Sequence, residues 1–164
     1  MTSNSYTATI EVVKSPQEVY NAIRDVPKWW NKNDFSGSSS DLGDEFLIDH
    51  PGQHYSNQKL VELVPNQKIV WLVTDSNLNW LEKDKHEWTG TKMIFEISPG
   101  NGKTLLRFTH DGLTPQKECY TLCEMGWNLI IREWLYYFIA AGFPSPEMEK
   151  AAEIRNKLLS AQKR

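Results

Sequence analysis

Chemistry in this chain would have to come from a small set of side chains. His110 ends an alternating stretch, and Glu133 sits within an otherwise apolar one. Brought together inside a core, an imidazole and a carboxyl would need each other, a water or a ligand. They could then hold a polar head group or pass a proton between them. The other histidines are His50, His54 and His86. His50 and His54 flank Pro51-Gly52 and can approach in a turn, where exposed turn residues weigh against metal ligands. Asp111 follows His110 directly, so on a strand the two point to opposite faces and no Ser-His-Asp arrangement follows. Cys119 and Cys123 lie one helical turn apart with nothing basic a turn away to activate either thiol. Helix geometry also disfavours a disulfide between them, which leaves two buried thiols. The glycines are scattered among turns and form no phosphate-binding loop.

The element that must position these groups runs over residues 114–142. Thr114 suits an N-cap, Pro115 the first helical position, and Gly142 with Pro144 a stop. At about 100° per residue, Cys119, Leu122, Cys123, Gly126, Leu129, Ile130, Trp134, Tyr137 and Ala141 share one face. Trp127, Ile131 and Phe138 widen it, while Lys117, Thr121, Glu124, Asn128 and Arg132 keep a narrow polar strip. Glu133 falls inside the apolar arc. A helix this apolar must be wrapped along most of its length.

The wrapping is supplied by strands. Residues 6–13 alternate, and Ser15-Pro16-Gln17-Glu18 forms a capping box opening a short helix that ends near Pro27. Strands are then expected near residue 36 and at 46–49, 55–64, 69–74, 88–98 and 103–109, the last two joined by Pro99-Gly100-Asn101-Gly102. Residues 75–87 read as a loop or loose hairpin tip. Parity puts Met93, Phe95 and Ile97 on one face and Leu106, Phe108 and His110 on another, both directed at the helix. Residues 69–74 are apolar on both faces, so alternation does not decide between Trp71 and Leu72. Strand, helix, about six strands and a long helix make an α+β architecture.

Composition sets the outer bounds. A chain of 164 residues favours one domain, here 1–143. Residues 144–164 form a helical extension or frayed tail, with Glu147 and Glu149 early and Lys163 and Arg164 last. A net charge of −3 with 18 basic residues gives no phosphate-binding excess, so no nucleic-acid partner is expected. The most apolar run, 129–142, contains Arg132 and Glu133 and is too short for a bilayer. No signal peptide is evident, and two thiols fit a reducing cytoplasm. Seven tryptophans either line a pocket or fill the core.

Ordered pieces of this chain resemble a family. Ser15-Pro16-Gln17-Glu18-Val19-Tyr20-Asn21-Ala22-Ile23 is similar to the opening helix of the START-like (SRPBCC) superfamily. Trp30, the stretch Leu60-Val61-Glu62-Leu63-Val64-Pro65, the segment from Gly102 to Leu113, and Gly126-Trp127 continue the likeness. The branch it most resembles comprises homologues of the activator of the ninety-kilodalton heat-shock chaperone's ATPase. The resemblance implies a helix-grip fold: a curved antiparallel sheet of about seven strands around a long C-terminal helix. Two short helices follow the first strand, and a cavity commonly lies between sheet and helix. Members bind lipids, hormones or polyketides, or act as cyclases.

The expected activity is therefore binding of a small hydrophobic or aromatic molecule by a carrier or sensor. Trp30, Phe35, Trp71, Phe95, Phe108, His110, Gly126, Leu129, Ile130, Glu133 and Tyr137 are its candidate ligand-binding residues. No cofactor, metal or catalytic residue is expected. The alternative is a protein-interaction module acting as a chaperone cofactor, and a cyclase or hydrolase using His110 and Glu133 is less favoured. The protein would be a monomer, or a homodimer through Trp127, Ile131 and Phe138.

Overall fold

The computed structural model describes residues 4–162. Strands β1 (Tyr6–Val12), β2 (Phe35–Gly37), β3 (Glu45–His50), β4 (His54–Val64), β5 (Lys68–Leu78), β6 (Lys92–Pro99) and β7 (Thr104–Asp111) form one sheet. Its order is β1-β7-β6-β5-β4-β3-β2, and every neighbouring pair is antiparallel. Register shifts between Asn57 and Gln58 and between Leu60 and Glu62 interrupt the β4–β5 ladder. Such bulges bend a strand and increase its twist, which curves the sheet. Helix α1 (Pro16–Ile23) opens on the expected capping box: Ser15 accepts from the Glu18 N–H, and Glu18 accepts from the Ser15 N–H. A single 3-10 turn, Val26–Lys28, follows it.

Across the sheet runs the long helix, in three parts: α2 (Tyr120–Trp127), a π-helical stretch (Asn128–Leu135) and α3 (Tyr136–Ala141). It begins at Tyr120, not at Pro115. The reason is tertiary: the Glu87 carboxylate accepts the Cys119 N–H at 2.9 Å, and the Glu118 carboxylate accepts the N–H groups of Glu82 and Lys83. Residues 114–119 are thus held as turns by the loop after β5. Gly142 ends the helix in the left-handed conformation, as expected. Edge strand β1 clamps the π stretch: Tyr6 donates to Asn128, and Arg132 reaches the Thr9 carbonyl.

The π stretch decides which face is buried. Cys119, Cys123, Trp127, Ile131, Leu135 and Ile139 are buried, a strict spacing of four. On a regular α-helix that series drifts roughly 40° per step. An i→i+5 ladder holds more residues per turn and rotates the series back, so one straight stripe faces the sheet. The face expected at 100° per residue is therefore displaced. Leu122 is 58% exposed and Leu129 42%, and Glu133 is exposed.

Strand parity holds. Met93, Phe95, Ile97, Leu106, Phe108 and His110 are all buried, and Trp71 rather than Leu72 points inward. Ring centroids stand 4.9 Å apart for Phe46–Trp71, 4.8 Å for Trp71–Phe95, 5.0 Å for Phe95–Phe108 and 4.6 Å for Phe108–Trp127. Rings at these separations are in contact, so the centre of the sheet is filled. Strand β5 continues to Leu78, where the sequence suggested a loop. The final helix, α4 (Pro146–Gln162), buries Met148 and pairs Glu149 with Lys32 at 2.9 Å. Lys163 and Arg164 lie outside the described residues.

Candidate functional site

The open space lies at one end of the grip. A pocket of about 630 Å³ opens between the first half of the long helix and the far end of β3, β4 and β5. Ile48, His50, His54 and Leu78 come from the sheet, and Trp30, Asn31 and Asp34 from the connection after α1. Asn79, Trp80 and Trp88 come from the loop between β5 and β6. The helix contributes Leu122, Cys123, Gly126, Trp127, Leu129, Ile130 and Trp134. This size falls within the range of roughly 300–1,000 Å³ usual for small-molecule sites.

Local sequence explains how these groups converge. The β3–β4 hairpin turns at Pro51-Gly52, with Gly52 at φ 79°, and pairs His50 with His54. Their rings stack at 5.4 Å. The Asp34 carboxylate lies 3.0 Å from His50 Nδ1, and its side chain is only 5% exposed. Burial lowers the pKa of His54, partly offset by Asp34, so its imidazole is neutral at pH 7. Gly126 leaves open space where a side chain would begin: nothing stands within 4 Å of an added Cβ. Among the described residues, no group of three or more His, Cys, Asp and Glu side chains is arranged to hold a metal ion.

His110 lies beneath this pocket, completely enclosed. The Trp127 indole N–H donates to His110 Nδ1 at 3.0 Å, and His110 Nε2 lies 2.9 Å from Thr91 Oγ1. Thr91 gives its own hydroxyl proton to the Trp88 carbonyl, so it must accept from Nε2–H. The bonds therefore specify a neutral imidazole protonated on Nε2. Desolvation, with a smaller contribution from Lys117, lowers the pKa of His110 to about 3. Gly112 makes this fit possible, since a Cβ there would stand 2.7 Å from Thr91 Cγ2.

Of the residues singled out from sequence, Trp30, Gly126, Leu129 and Ile130 line the pocket. The others do not. Trp71, Phe95 and Phe108 fill the core behind it, and Phe35 stacks on Phe46 at 5.5 Å. Tyr137 packs edge-on against Phe143 at 5.6 Å. His110 is spent on Trp127 and Thr91, and exposed Glu133 does not meet it. That correction removes the acid–base pair: a neutral, fully bonded imidazole without a carboxyl partner has no proton to move. Cys119 is no nucleophile either, because hydrogen bonding with Cys123 and then burial push its pKa upward.

Sequence reasoning missed Asp34, Gln53, Leu78 and Asn79 as wall residues, while Trp80 and Trp88 fall to the pocket side of the choice it left open for the tryptophans. The Pro51-Gly52 turn between two histidines was the one local signal pointing to this end of the sheet. Trp127 and Ile131, considered for a dimer contact, are buried within the fold.

A curved seven-stranded antiparallel sheet closed on a long C-terminal helix, with an apolar pocket at their open end, defines a helix-grip protein. The chain belongs to the family of Activator of Hsp90 ATPase homolog 1-like proteins, whose pattern matches residues 14–136. The fold is similar to the solution structure of the Aha1 dimer from Colwellia psychrerythraea: TM-score 0.66, 23% identity, covering 84% of this chain and 97% of that one. It is also similar to MLL2253 from Mesorhizobium loti, at TM-score 0.60 and 18% identity over 79% of this chain and 94% of that one. CalU16 from Micromonospora echinospora aligns at TM-score 0.58 and 18% identity, covering 94% and 85%. Among curated proteins none matches significantly. No helix among the described residues is long and apolar enough to cross a membrane.

Proposed function

We propose that this protein is a carrier or sensor that takes one small, largely apolar molecule into the pocket between the long helix and the end of β3–β5. The observation that carries this reading is the pocket itself: about 630 Å³, walled by indoles and aliphatic groups, with its polar side chains supplied by the strand ends and loops and none by the long helix. A fully packed protein of this size has few voids larger than a water. Here the core proper is filled, yet this volume stays open. Gly126 supports the same reading, because alanine would favour the helix by roughly 0.5–1 kcal/mol and glycine keeps the wall set back.

Native mass spectrometry of protein purified from cells, with a thermal-shift screen of apolar and aromatic compounds, tests it. A co-purifying mass or a stabilising compound is expected, and Gly126→Phe should abolish either one while the protein stays folded. No bound mass and no stabilisation by any compound would reject the reading.

Family membership supports a second role, as a cofactor stimulating a chaperone ATPase. Stimulation of the purified chaperone's ATPase, or co-purification with it, is the expected result. Failure of both would dismiss this role without bearing on the pocket.

A further inference from the structure

The pocket offers a ligand no unspent charge. Asp34 is the one acidic residue among the described residues lining it, and its carboxylate is already engaged 3.0 Å from His50 Nδ1. No lysine or arginine is among those lining residues. A cation or an anion entering this space would leave water without gaining an opposite charge, which is costly in an apolar interior. The indoles of Trp30, Trp88 and Trp127 pack against one another and serve as apolar wall. Uncharged hydrogen bonding is what the site has left to give.

Two side chains on one side of the pocket supply it. Asn31 borders the pocket, is 6% exposed, and accepts the Asn33 N–H through Oδ1 at 3.1 Å. A backbone N–H can only donate, so this bond fixes which end of the amide is oxygen and leaves the two Nδ2 protons unspent. Among the described residues Nδ2 makes no hydrogen bond. The unbonded side-chain polar atoms sealed from solvent are Ser56 Oγ, Gln58 Oε1 and Trp88 Nε1. Asn31 Nδ2 is not one of them, so the surface it keeps opens on the pocket. The ring of His54, half-buried in the same wall, stacks on His50 and makes no hydrogen bond among the described residues. Asp34 joins the two: its N–H donates to the Asn31 carbonyl at 3.0 Å, and its carboxylate meets the imidazole on which His54 stacks. A buried amide donor covered by hydrocarbon loses its water and gains nothing, whereas an oxygen acceptor restores the bond. We propose that the pocket selects an uncharged molecule: an apolar body bearing one carbonyl oxygen, which accepts from Asn31 Nδ2–H and from the imidazole N–H of His54. This rests on the ligand-pocket reading above and gives the ligand its class.

The test uses four planar probes of one shape on the full chain by isothermal titration calorimetry. They are 2-acetylnaphthalene, the hydrocarbon 2-isopropenylnaphthalene, the anion 2-naphthoate and the cation 2-naphthamidinium. The acetyl probe should bind about tenfold more tightly than the hydrocarbon, the size of a buried hydrogen bond made or left unmade, and both ions most weakly. Asn31→Ser keeps an oxygen able to accept the Asn33 N–H and removes the amide donors. It should cut the acetyl preference severalfold while affinity for the hydrocarbon holds within about threefold. Should that variant fail to fold, His54→Phe, which keeps a ring against His50, should lessen the preference in the same way. Equal or tighter binding of the hydrocarbon or of either ion overturns the carbonyl assignment and leaves the pocket reading standing. So does an acetyl preference that survives both substitutions. With all four probes silent, the stabilising compounds of the thermal-shift screen decide: uncharged carbonyl compounds uphold the assignment, and hydrocarbons or ions overturn it. Silence there as well removes both readings.

Discussion

Trp127 gives its indole N–H to His110 Nδ1 at 3.0 Å, and this one bond ties the pocket wall to the core. Trp127 lines the cavity on one side and packs on Phe108 at 4.6 Å on the other. With its N–H anchored, the ring has one orientation. His110 is in turn held by Thr91, so the wall is set by a chain of hydrogen bonds running from helix to β7 to the residues just before β6. His110 thus acts as a positioning residue and not as the head-group anchor suggested by its place in the sequence.

Replacing His110 by Leu should therefore cost about 2–4 kcal/mol in denaturant unfolding. It strands the Trp127 N–H in an apolar interior and removes a donor from Thr91. Ligand affinity should fall with it as Trp127 loses its orientation. Unchanged stability would show that the bond contributes little.

The same histidine makes stability fall on acidification. Its folded pKa of about 3 is below the ordinary imidazole value, so the unfolded chain binds a proton first. The contribution is whole above pH 6.5, declines as pH drops below that value, and is spent near pH 3. Between pH 7 and pH 5 His110 alone should remove about 2 kcal/mol. His54 acts in the same direction, since burial lowers its pKa too. Unfolding free energies across this range should show the slope, and the slope should lessen in His110→Leu.

Gly126 offers a separation of stability from binding. Gly126→Ala should stabilise by roughly 0.5–1 kcal/mol, because an added Cβ meets nothing within 4 Å and alanine is the better helix former. Gly126→Phe should keep the melting temperature near that of the parent while blocking any pocket ligand. Destabilisation by the alanine would mean that the glycine serves the adjacent π stretch instead.

The filled core and the open pocket should answer differently to truncation. Phe95→Ala, at a fully buried ring touching Trp71 and Phe108, should cost about 3–5 kcal/mol. Exposed Glu133 should tolerate Gln within about 0.5 kcal/mol, with ligand affinity unaltered. A large loss from Glu133→Gln would restore it as a functional group.

Much of this protein was legible along the chain. The capping box at Ser15, the inward parity of Phe95 and Phe108, the Gly142 stop and the succession of strands along the chain follow from neighbouring residues, whose hydrogen bonds and alternation are local. Family-like motifs from Ser15 to Trp127 added the curved sheet around the last helix. Three things were decided only by tertiary structure. The helix begins at Tyr120 because carboxylates 118 and 87 are engaged by distant backbone N–H groups and by Cys119. Glu133 turns outward because eight residues adopt a π ladder, and the helical period that sequence patterning assumes no longer applies. The pocket forms where Asp34, His50, Trp88 and Trp127 meet, residues separated by dozens of positions and joined by sheet curvature. Period and capping are written in adjacent side chains; where a curved sheet stops touching its helix depends on the packing of the whole.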